Sequence, residues 1–269
     1  MKVLTTGQFH GQTNKIHTLD GITLTDTEYT QAKVDWHYHE NAYFTFILQG
    51  QVLEGNKKEI YTCTPSSLLF HHWQEPHYNI KPEGYTRGFH IEIEKQWFEK
   101  YDLRDHHLEG SFNISSPEIK LLLYKIFGES KQLDVASILS IECLLLQGLS
   151  ELNHQQKNIT CKKPLWVEKL RAILQEESNR NLSLHSLVQT LDIHPVHLSR
   201  CFPKYFNCTL GEYIRKVRIE KAISLLPIKK YSLTEIAFEC GFADQSHFTR
   251  NFKELVGFNP LAYRRILLS

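Results

Sequence analysis

The sequence predicts an α+β protein of several domains, with an N-terminal β-barrel, a helical segment, and an all-α C-terminal domain of two helix-turn-helix units. The first half carries short, aromatic-rich alternating runs broken by turn residues, a pattern typical of all-β barrels. The middle shows apolar residues at helical spacing. The last third repeats itself at an interval of about fifty residues, which indicates two copies of one helical unit. A length of 269 residues is enough for two or three compact units.

Residues 1–112 are predicted to form the β-barrel. Strand-like runs cover residues 42–48, 59–63, 67–70 and 85–93. Gly50, Pro65 and the segment 82–84 separate these runs and supply the turns. Short strands at this spacing favour an all-β sandwich or barrel.

Residues 113–156 are predicted to form two helices that join two chains into a homodimer. The first helix begins at Pro117 and runs to Phe127, where Gly128 is expected to break it. The second runs over about residues 134–152 and carries an apolar stripe broad enough to pack on the barrel and on another chain. Two-fold dimers are the commonest oligomers. Full use of the stripe inside one monomer is the alternative.

The C-terminal domain, predicted to cover residues 162–269, contains the repeat. Residues 183–193 resemble residues 232–242 at an offset of 49, and residues 197–202 resemble residues 247–252 at an offset of 50. The second copy therefore has one extra residue in its turn. Each copy is predicted to form a helix, a tight turn and a second helix, which is the layout of a helix-turn-helix.

Local signals place the helix ends within each copy. Ser183 and Ser232 each stand one residue before an apolar helical pattern, where a side-chain oxygen caps free N–H groups. Gly241 closes the first helix of the second copy, because glycine accepts the left-handed backbone of a helix stop. Asp244 is placed to cap the next helix, and Pro195 suits the first position of the corresponding helix in the first copy.

The second helix of each copy is the predicted DNA-reading element, because such a helix lies in the major groove and presents its early residues to base edges. Glutamine and arginine side chains match the edges of adenine and guanine. Residues 160–269 contain 17 Lys and Arg against 10 Asp and Glu, as expected of a domain that binds phosphates. A helical repeat that binds protein is the alternative. The predicted base-reading residues are Val196, His197, Ser199 and Arg200 in the first copy and Gln245, Ser246, Thr249 and Arg250 in the second.

A long, ordered set of residues in this domain matches a known pattern. It comprises Leu198-Ser199-Arg200-Cys201-Phe202, the segment 213–222, Cys240-Gly241-Phe242, and the segment 248–253 with Gly257 and Pro260. Through these residues the C-terminal domain resembles the DNA-binding domain of AraC/XylS-type transcription regulators. The resemblance implies that a helix over about residues 210–226 joins two helix-turn-helix units. Their second helices would enter successive major-groove segments of double-stranded DNA, about 34 Å apart.

Two residues of the first copy depart from the family pattern. Asn207 stands where the family usually has a glycine, but asparagine also adopts the left-handed conformation that ends a helix. Pro203 lies inside the predicted reading helix, where its missing N–H and its ring clash cost about 3 kcal/mol. The first reading helix is therefore expected to be short or bent, and the second to read the DNA sequence more strongly.

Two histidine-containing runs stand in the N-terminal half. They are Trp36-His37-Tyr38-His39-Glu40 and Glu75-Pro76-His77-Tyr78-Asn79. These runs resemble the half-motifs of the cupin barrel, the usual sensor domain of AraC-type regulators, and so imply a cupin-like barrel that binds a small-molecule effector. Aromatic rings and neutral imidazoles suit a sugar, and an arginine suits a small carboxylate. The predicted ligand-binding residues are Trp36, His37, His39, His77 and Arg87.

The same histidines raise the question of a metal. His37 and His39 are two residues apart on a strand and share a face, and with His77 they offer three nitrogen ligands. The carboxylate that metal-binding cupins place four or five residues after the second histidine is absent, since Tyr43 and Phe44 stand there. The sequence therefore predicts pocket histidines with no metal and no cofactor. A metal-dependent cupin enzyme, an oxygenase or isomerase with a DNA-binding appendage, is the main alternative, and a structural DNA-binding protein without a ligand is another.

The sequence as a whole predicts a cytoplasmic, sequence-specific DNA-binding regulator that is not an enzyme. Residues 1–20 lack the apolar core of a signal peptide, and no apolar run is expected to cross a membrane. The six cysteines show no close metal-ligand spacing and are expected to be reduced thiols. No Ser/His/Asp or Cys/His arrangement that would support nucleophilic catalysis can be assigned.

Overall fold

The computed structural model describes residues 1–103, 108–157, 164–180 and 182–269. They divide into two compact units, Met1–Gln156 and Lys157–Ser269. The first unit contains the described strands together with several helices, and the second contains the helices of the repeat. The α+β fold class, with a β-sheet domain before an all-helical region, is confirmed.

Two β-sheets form the body of the first unit. In chain order the strands are β1 (Lys2–Leu4), β2 (Gln12–Leu19), β3 (Ile22–Glu28), β4 (Lys33–His39), β5 (Ala42–Gln49), β6 (Val52–Asn56), β7 (Ile60–Cys63), β8 (Leu68–His71), β9 (His77–Ile80), β10 (Arg87–Ile93) and β11 (Ser111–Asn113). One sheet has the order β1-β4-β9-β6-β7, and the other has the order β11-β8-β5-β10-β3-β2. The four strand runs predicted from the sequence correspond to β5, β7, β8 and β10, with ends that differ by one or two residues.

The helices of the first unit are α1 (Lys95–Lys100), α2 (Pro117–Glu129) and α3 (Val135–Lys157) in its described residues. Gly128 lies inside α2, so the prediction that it breaks this helix is wrong. Glycine in a helix costs about 1 kcal/mol relative to alanine, but its N–H still joins the helical hydrogen bonds. The sequence also predicts a polar linker over residues 153–163, but α3 continues through its first part. Residues 158–163 lie outside the described residues.

Helix α2 covers the outer face of the six-stranded sheet. The ring centroids of Phe46 and Tyr124 are 5.0 Å apart, and those of Phe89 and Phe127 are also 5.0 Å apart. Strand β5 is therefore buried on both faces, since its other face lies inside the unit. This explains why its sequence is apolar on both faces, apart from Thr45 and the terminal Gln49, rather than alternating.

Helix α3 is long and apolar. By length and composition alone, Val135–Gln155, with a mean hydropathy of 1.5, qualifies as a helix able to cross a membrane, and the expectation that no apolar run crosses one stays a prediction. The core helix of a soluble protein passes the same test. In this unit Ile141 and Leu145 are fully buried, and Glu142 accepts hydrogen bonds from Lys100 and Tyr101.

The second unit consists of helices in its described residues. They are α4 (Leu165–Glu176), α5 (Leu184–Leu191), α6 (Pro195–Phe206), α7 (Leu210–Leu225), α8 (Leu233–Glu239), α9 (Gln245–Val256) and α10 (Pro260–Leu268). Helices α5 and α6 form the first helix-turn-helix, and α8 and α9 form the second. The joining helix implied by the family resemblance is α7. The starts of α5 and α8 differ by 49 residues and those of α6 and α9 by 50, which matches the offsets of the repeat.

The predicted helix ends are confirmed. Ser183, Ser232 and Asp244 each accept a hydrogen bond from the N–H three residues further on, at 2.7 to 3.1 Å. Pro195 is the first residue of α6. Gly241 has a φ of 81°, and the N–H of Phe242 reaches back to the carbonyl of Ala237 at 2.9 Å, so the chain leaves α8 through a glycine-dependent helix stop.

Pro203 does not shorten α6, which has 12 residues, as α9 does. Of the two outcomes expected for the first reading helix, short or bent, the short one is therefore wrong. Pro203 removes only one N–H from the helical pattern, and Phe202 and Phe206 on the buried face hold the last turn in the core. Asn207 then ends α6 in the left-handed conformation with a φ of 53°, as predicted.

Each helix-turn-helix has its own apolar core. The first core is completed by α4, whose Val167, Leu170 and Leu174 pack with residues of α5, α6 and α7. The second contains a chain of aromatic contacts from Phe242 through Phe248 and Phe252 to Tyr263 of α10, with ring centroids 5.4 to 5.7 Å apart. These cores fix which faces of α6 and α9 remain outside.

Candidate functional site

The outer face of α6 carries the residues predicted to read DNA in the first unit. Val196, His197, Ser199 and Arg200 are all exposed, while Leu198, between them in sequence, is fully buried. With 3.6 residues per turn, neighbouring side chains point about 100° apart around the helix. Leu198 therefore points into the core while the residues before and after it project away from the core. The structure therefore brings all four predicted residues to one surface.

The outer face of α9 repeats this arrangement. Gln245, Ser246 and Arg250 are exposed, and Thr249 is half-buried. The Gln245 amide oxygen accepts a hydrogen bond from Thr234 Oγ1 of α8, which fixes the direction of its side chain at the start of the reading helix. A fixed glutamine amide loses less side-chain entropy when it meets a base edge.

Arg200 and Arg250 occupy equivalent positions of the repeat. Neither guanidinium has a hydrogen bond or an ion pair to another residue in the part of the chain that the structure describes. Both are exposed. A guanidinium in this state can form two parallel hydrogen bonds to guanine or contact a phosphate.

Two other arginines of the basic C-terminal domain bind backbone carbonyls within the domain. Arg218 of α7 donates to the carbonyls of Ser178 and Arg180 at 2.7 and 3.1 Å. Arg264 of α10 donates to the carbonyls of Leu226 and Tyr231, both at 2.9 Å. These guanidinium groups satisfy backbone carbonyls at chain turns. The net positive charge therefore overstates the number of side chains available to phosphates.

The two helix-turn-helix units contact each other through backbone, a feature that no sequence signal indicates. A Cβ at Gly241 would lie only 2.7 Å from the carbonyl oxygen of Asn179, in the loop between α4 and α5. Arg218 lies beside this contact, with its guanidinium carbon 5.9 Å from the Phe242 ring centroid. Lys221 of α7 donates to the carbonyl of Glu239 at the end of α8, at 2.9 Å.

A second candidate site lies between the two sheets of the first unit. A cavity of about 20 Å³ is lined by His37 and His39 of β4, His77 of β9, Tyr43 of β5 and His90 of β10, among others. This volume holds about one water molecule. The cavity as it stands is therefore too small for a sugar or an organic carboxylate.

Three predicted ligand residues meet in this cavity. His37 and His77 are direct cross-strand neighbours in the pairing of β4 with β9, and His39 lies two residues further along the same face. One ring nitrogen from each of the three lies within 4.8 Å of the others. His77 Nε2 is 3.0 Å from the Tyr43 hydroxyl.

The cavity histidines are held in their neutral form. Burial lowers the pKa values of His77 and His90 to about 3. Burial and the nearby His77 also lower the pKa of His39 well below its ordinary value. Burial opposes ionisation of Glu54, but the His71 ring, 2.7 Å away, lowers the pKa of this carboxyl to about 2. The cavity therefore combines neutral imidazoles with one buried carboxylate.

The other two predicted ligand residues lie elsewhere. Trp36 is 41% exposed and packs against Tyr78, on the opposite face of β4 from the histidines. Arg87 is buried, but its Nε and Nη2 atoms bind the two carboxylate oxygens of Asp26 at 2.7 and 2.6 Å. An arginine held in this way does not line the cavity, so the structure does not support its predicted role as a carboxylate clamp.

Sequence reasoning missed several residues of the cavity. Phe9 stacks on His90 with ring centroids 3.7 Å apart, and His10 contacts the edge of the His37 ring at 4.9 Å. Glu54 also lines the cavity. No pattern marks Phe9 and His10, which lie between β1 and β2, whereas His90 lies on a strand buried on both faces, where alternation gives no direction.

The chain matches known proteins mainly through the helices of the second unit. A family model described as a helix-turn-helix domain matches residues 187–266. A probable transcription factor, PqrA from Proteus vulgaris, is 34% identical over 99 residues, which cover 37% of this chain and 77% of that protein. An uncharacterised helix-turn-helix regulator, YisR from Bacillus subtilis, is 24% identical over 208 residues, which cover 75% of this chain and 70% of that protein. The crystal structure of ToxT from Vibrio cholerae O395 superposes with a TM-score of 0.40 and 17% identity, over 92% of this chain and 98% of that one.

Proposed function

The chain belongs to the AraC/XylS family of DNA-binding transcription regulators, and we propose that it recognises specific sites on double-stranded DNA under the control of a small molecule bound in its N-terminal barrel. As a member of this family it is a regulator and not an enzyme. The observation that carries the sequence-specific part is the pair of equivalent, exposed reading surfaces on α6 and α9, each with an unengaged arginine.

We propose that these surfaces enter two successive major-groove segments on one side of the duplex. Arg200, Arg250 and Gln245 would contact base edges, because their side chains combine exposure with paired donors or with a donor and an acceptor. Exposed lysines of the second unit would contact phosphates and make the affinity fall with salt.

The test of this function is binding of the full-length protein to its own promoter-proximal DNA and to scrambled DNA of the same length, followed by fluorescence anisotropy over a salt series. Tight binding to the first DNA only, weakening with salt, supports the proposal. Equal binding to both DNAs at every salt concentration would mean that the reading surfaces do not recognise sequence.

Control by an organic effector requires the cavity to enlarge. Phe9 and His10 close it from the segment between β1 and β2, and that segment is tied to the sheets where the N–H of Gly7 donates to Glu92 Oε2 at 2.7 Å. We propose that a sugar or small carboxylate displaces this segment. A ligand alters DNA binding only through a difference in its affinity for the two arrangements of the chain. A thermal-shift screen of sugars and carboxylates, compared between the natural protein and a Phe9→Ala variant, tests this.

We also propose a homodimer formed through α3. Val135, Ile138 and Leu139 are 77%, 39% and 58% exposed on this helix, although the same helix buries its other face. A dimer would double the DNA contacts and raise the effective affinity. Because the DNA of a bacterial cell is in the cytoplasm, the protein is proposed to act there.

A further inference from the structure

We propose that His37, His39 and His77 form a binding site for one divalent transition-metal ion of the zinc class, between the two sheets of the first unit. The proposal goes beyond DNA binding and does not depend on it. It also differs from the expectation drawn from the sequence, in which the absent carboxylate argued for histidines without a metal.

Two paired strands bring the three rings together. His37 and His77 face each other across the β4–β9 pair, and His39 follows His37 on the same face. Their ligand atoms lie within 4.8 Å of one another. Tetrahedral zinc with nitrogen ligands at 2.0 to 2.1 Å needs nitrogen separations of about 3.4 Å. Zinc binding would draw the three nitrogen atoms toward this separation through rotation of the imidazole rings.

Hydrogen bonds to backbone carbonyls hold the rings of His37 and His77, as such bonds hold the histidine ligands of metal sites. His37 Nδ1 lies 2.9 Å from the carbonyl of Asp35, and His77 Nδ1 lies 3.1 Å from the carbonyl of Glu75. A backbone carbonyl can only accept, so each Nδ1 carries the proton and each Nε2 presents its lone pair to the cavity. Metal-binding histidines almost always make such a second hydrogen bond, which fixes the tautomer.

His39 supplies an independent observation. It is 3% exposed, and its Nδ1 atom is buried without a hydrogen-bond partner among the described residues. A buried polar atom with no partner carries a free-energy cost of about 1 to 3 kcal/mol. A metal ion or a water molecule in the cavity offers such an atom a partner.

The volume of the cavity and the nitrogen atoms that line it determine which kind of ligand fits. A volume of about 20 Å³ accommodates an ion or a single water molecule. Neutral imidazoles favour zinc, copper, nickel or iron over magnesium and calcium, which prefer oxygen. Glu54 is engaged by His71 and accepts from Asn79 at 3.2 Å, so three protein ligands would leave a coordination position open.

Tyr43 is not one of the proposed metal ligands, and its substitution provides a further test of the site. Its hydroxyl lies 3.0 Å from His77 Nε2 and donates to the lone pair that a metal would need. The hydroxyl therefore competes with the metal for His77. Tyr43→Phe removes this competitor, so metal affinity in that variant should be equal to or higher than in the natural protein.

The experiment uses tag-free, full-length protein that has been treated with chelator and then titrated with Co²⁺, followed by visible absorption and by competition with Zn²⁺. We expect one ion per chain with the absorption bands of a nitrogen-coordinated site. His39→Gln and His37→Gln should each weaken binding by at least about 100-fold, since loss of outer-shell partners alone costs up to that factor. Tyr43→Phe and the control His72→Gln should bind as well as the natural protein or better.

Circular dichroism of each variant separates a lost ligand from a lost fold. If His39→Gln is unfolded, the comparison rests on His37→Gln, on Tyr43→Phe and on the stoichiometry of the natural protein. Absence of Co²⁺ and Zn²⁺ binding to the folded natural protein would overturn the proposal. Binding that survives both histidine substitutions, or that is lost in Tyr43→Phe, would overturn it as well. DNA binding by the same preparations reports separately on the regulator function.

Discussion

The Arg87 guanidinium and the Asp26 carboxylate form a doubly hydrogen-bonded ion pair inside the first unit, with Nε 2.7 Å from Oδ1 and Nη2 2.6 Å from Oδ2. Lys131, which follows α2, binds the same carboxylate at 2.7 Å. One buried carboxylate thus joins β3, β10 and the helical segment. Arg87 is accordingly a structural residue of this unit.

Asp26→Asn is expected to destabilise the first unit by about 3 to 5 kcal/mol, because it leaves two cationic groups without a charged partner. Burial opposes ionisation, but the bonds from Arg87 and Lys131 outweigh it and lower the pKa of Asp26 below its ordinary value. Its stabilising effect is therefore present above about pH 4, the unfolded pKa, and is lost as the pH falls through the lower folded value.

The measurement for Asp26 is urea unfolding of the natural protein and the variant between pH 2 and pH 7. The stability difference between them should shrink toward the acid end. Asp35→Asn, which removes an exposed carboxylate paired with Lys33 at 2.8 Å, is the matched control and should change little. A constant difference over the whole range would show that Asp26 does not act through its charge.

Gly241→Ala is expected to cost at least about 2 kcal/mol of stability. A left-handed φ of 81° costs an alanine about 1 to 2 kcal/mol, and the added Cβ would lie 2.7 Å from the Asn179 carbonyl oxygen. Thermal unfolding of the full chain measures the effect. Gly211→Ala is the control, because Gly211 is an exposed residue of α7 whose nearest neighbour to a new Cβ is a side-chain atom 3.8 Å away. Equal behaviour of the two variants would contradict the proposed backbone contact.

Arg200→Ala and Arg250→Ala should weaken binding to the specific DNA by similar amounts, about 1 to 3 kcal/mol each. The sequence favours a weaker first unit because of Pro203, but α6 and α9 have equal length, and both arginines are exposed. Anisotropy titrations with specific and scrambled DNA measure both losses. Lys57→Ala, an exposed cation of the first unit, serves as the control. A loss of DNA affinity in Arg250→Ala alone would support the sequence-based prediction that the second unit reads the DNA sequence more strongly than the first.

Leu139→Asp is expected to convert the dimer to a monomer, since it places a charge in the centre of the exposed apolar face of α3. Sedimentation velocity at micromolar concentration measures the change. Gln147→Asp adds the same charge two turns further along, about 80° around the helix, and should leave the dimer intact. A natural protein that sediments as a monomer would end the dimer proposal.

The C-terminal helices were predictable because each depends on local chemistry. Ser183, Asp244 and Gly241 mark helix ends through hydrogen bonds or backbone angles that involve only neighbouring residues. The sequence does not show that α6 keeps its full length, because Phe202 and Phe206 hold its last turn through tertiary packing. Local helix propensity does not include the stabilisation that a helix gains by packing against residues far away in the sequence.

The cavity was predicted less well, for two different reasons. Trp36 directly precedes His37, so the alternation of a strand already places it on the opposite face, and that signal was available. Arg87 was not predictable in the same way. Strand β10 is buried on both faces because α2 covers the sheet, and the partner of Arg87 is 61 residues away in sequence.

The contact between Asn179 and Gly241, with Arg218 and Lys221 bonded to carbonyls on either side of it, joins the two helix-turn-helix units that contain α6 and α9. We expect this contact to hold the two reading helices at one fixed separation. Inserting one base pair between the two recognised segments of an operator shifts them by about 3.4 Å and also turns one relative to the other, since a helical turn contains about 10 base pairs. Genomic sites for this regulator should consequently share one spacing, and searches for them should allow bases to vary but not the gap.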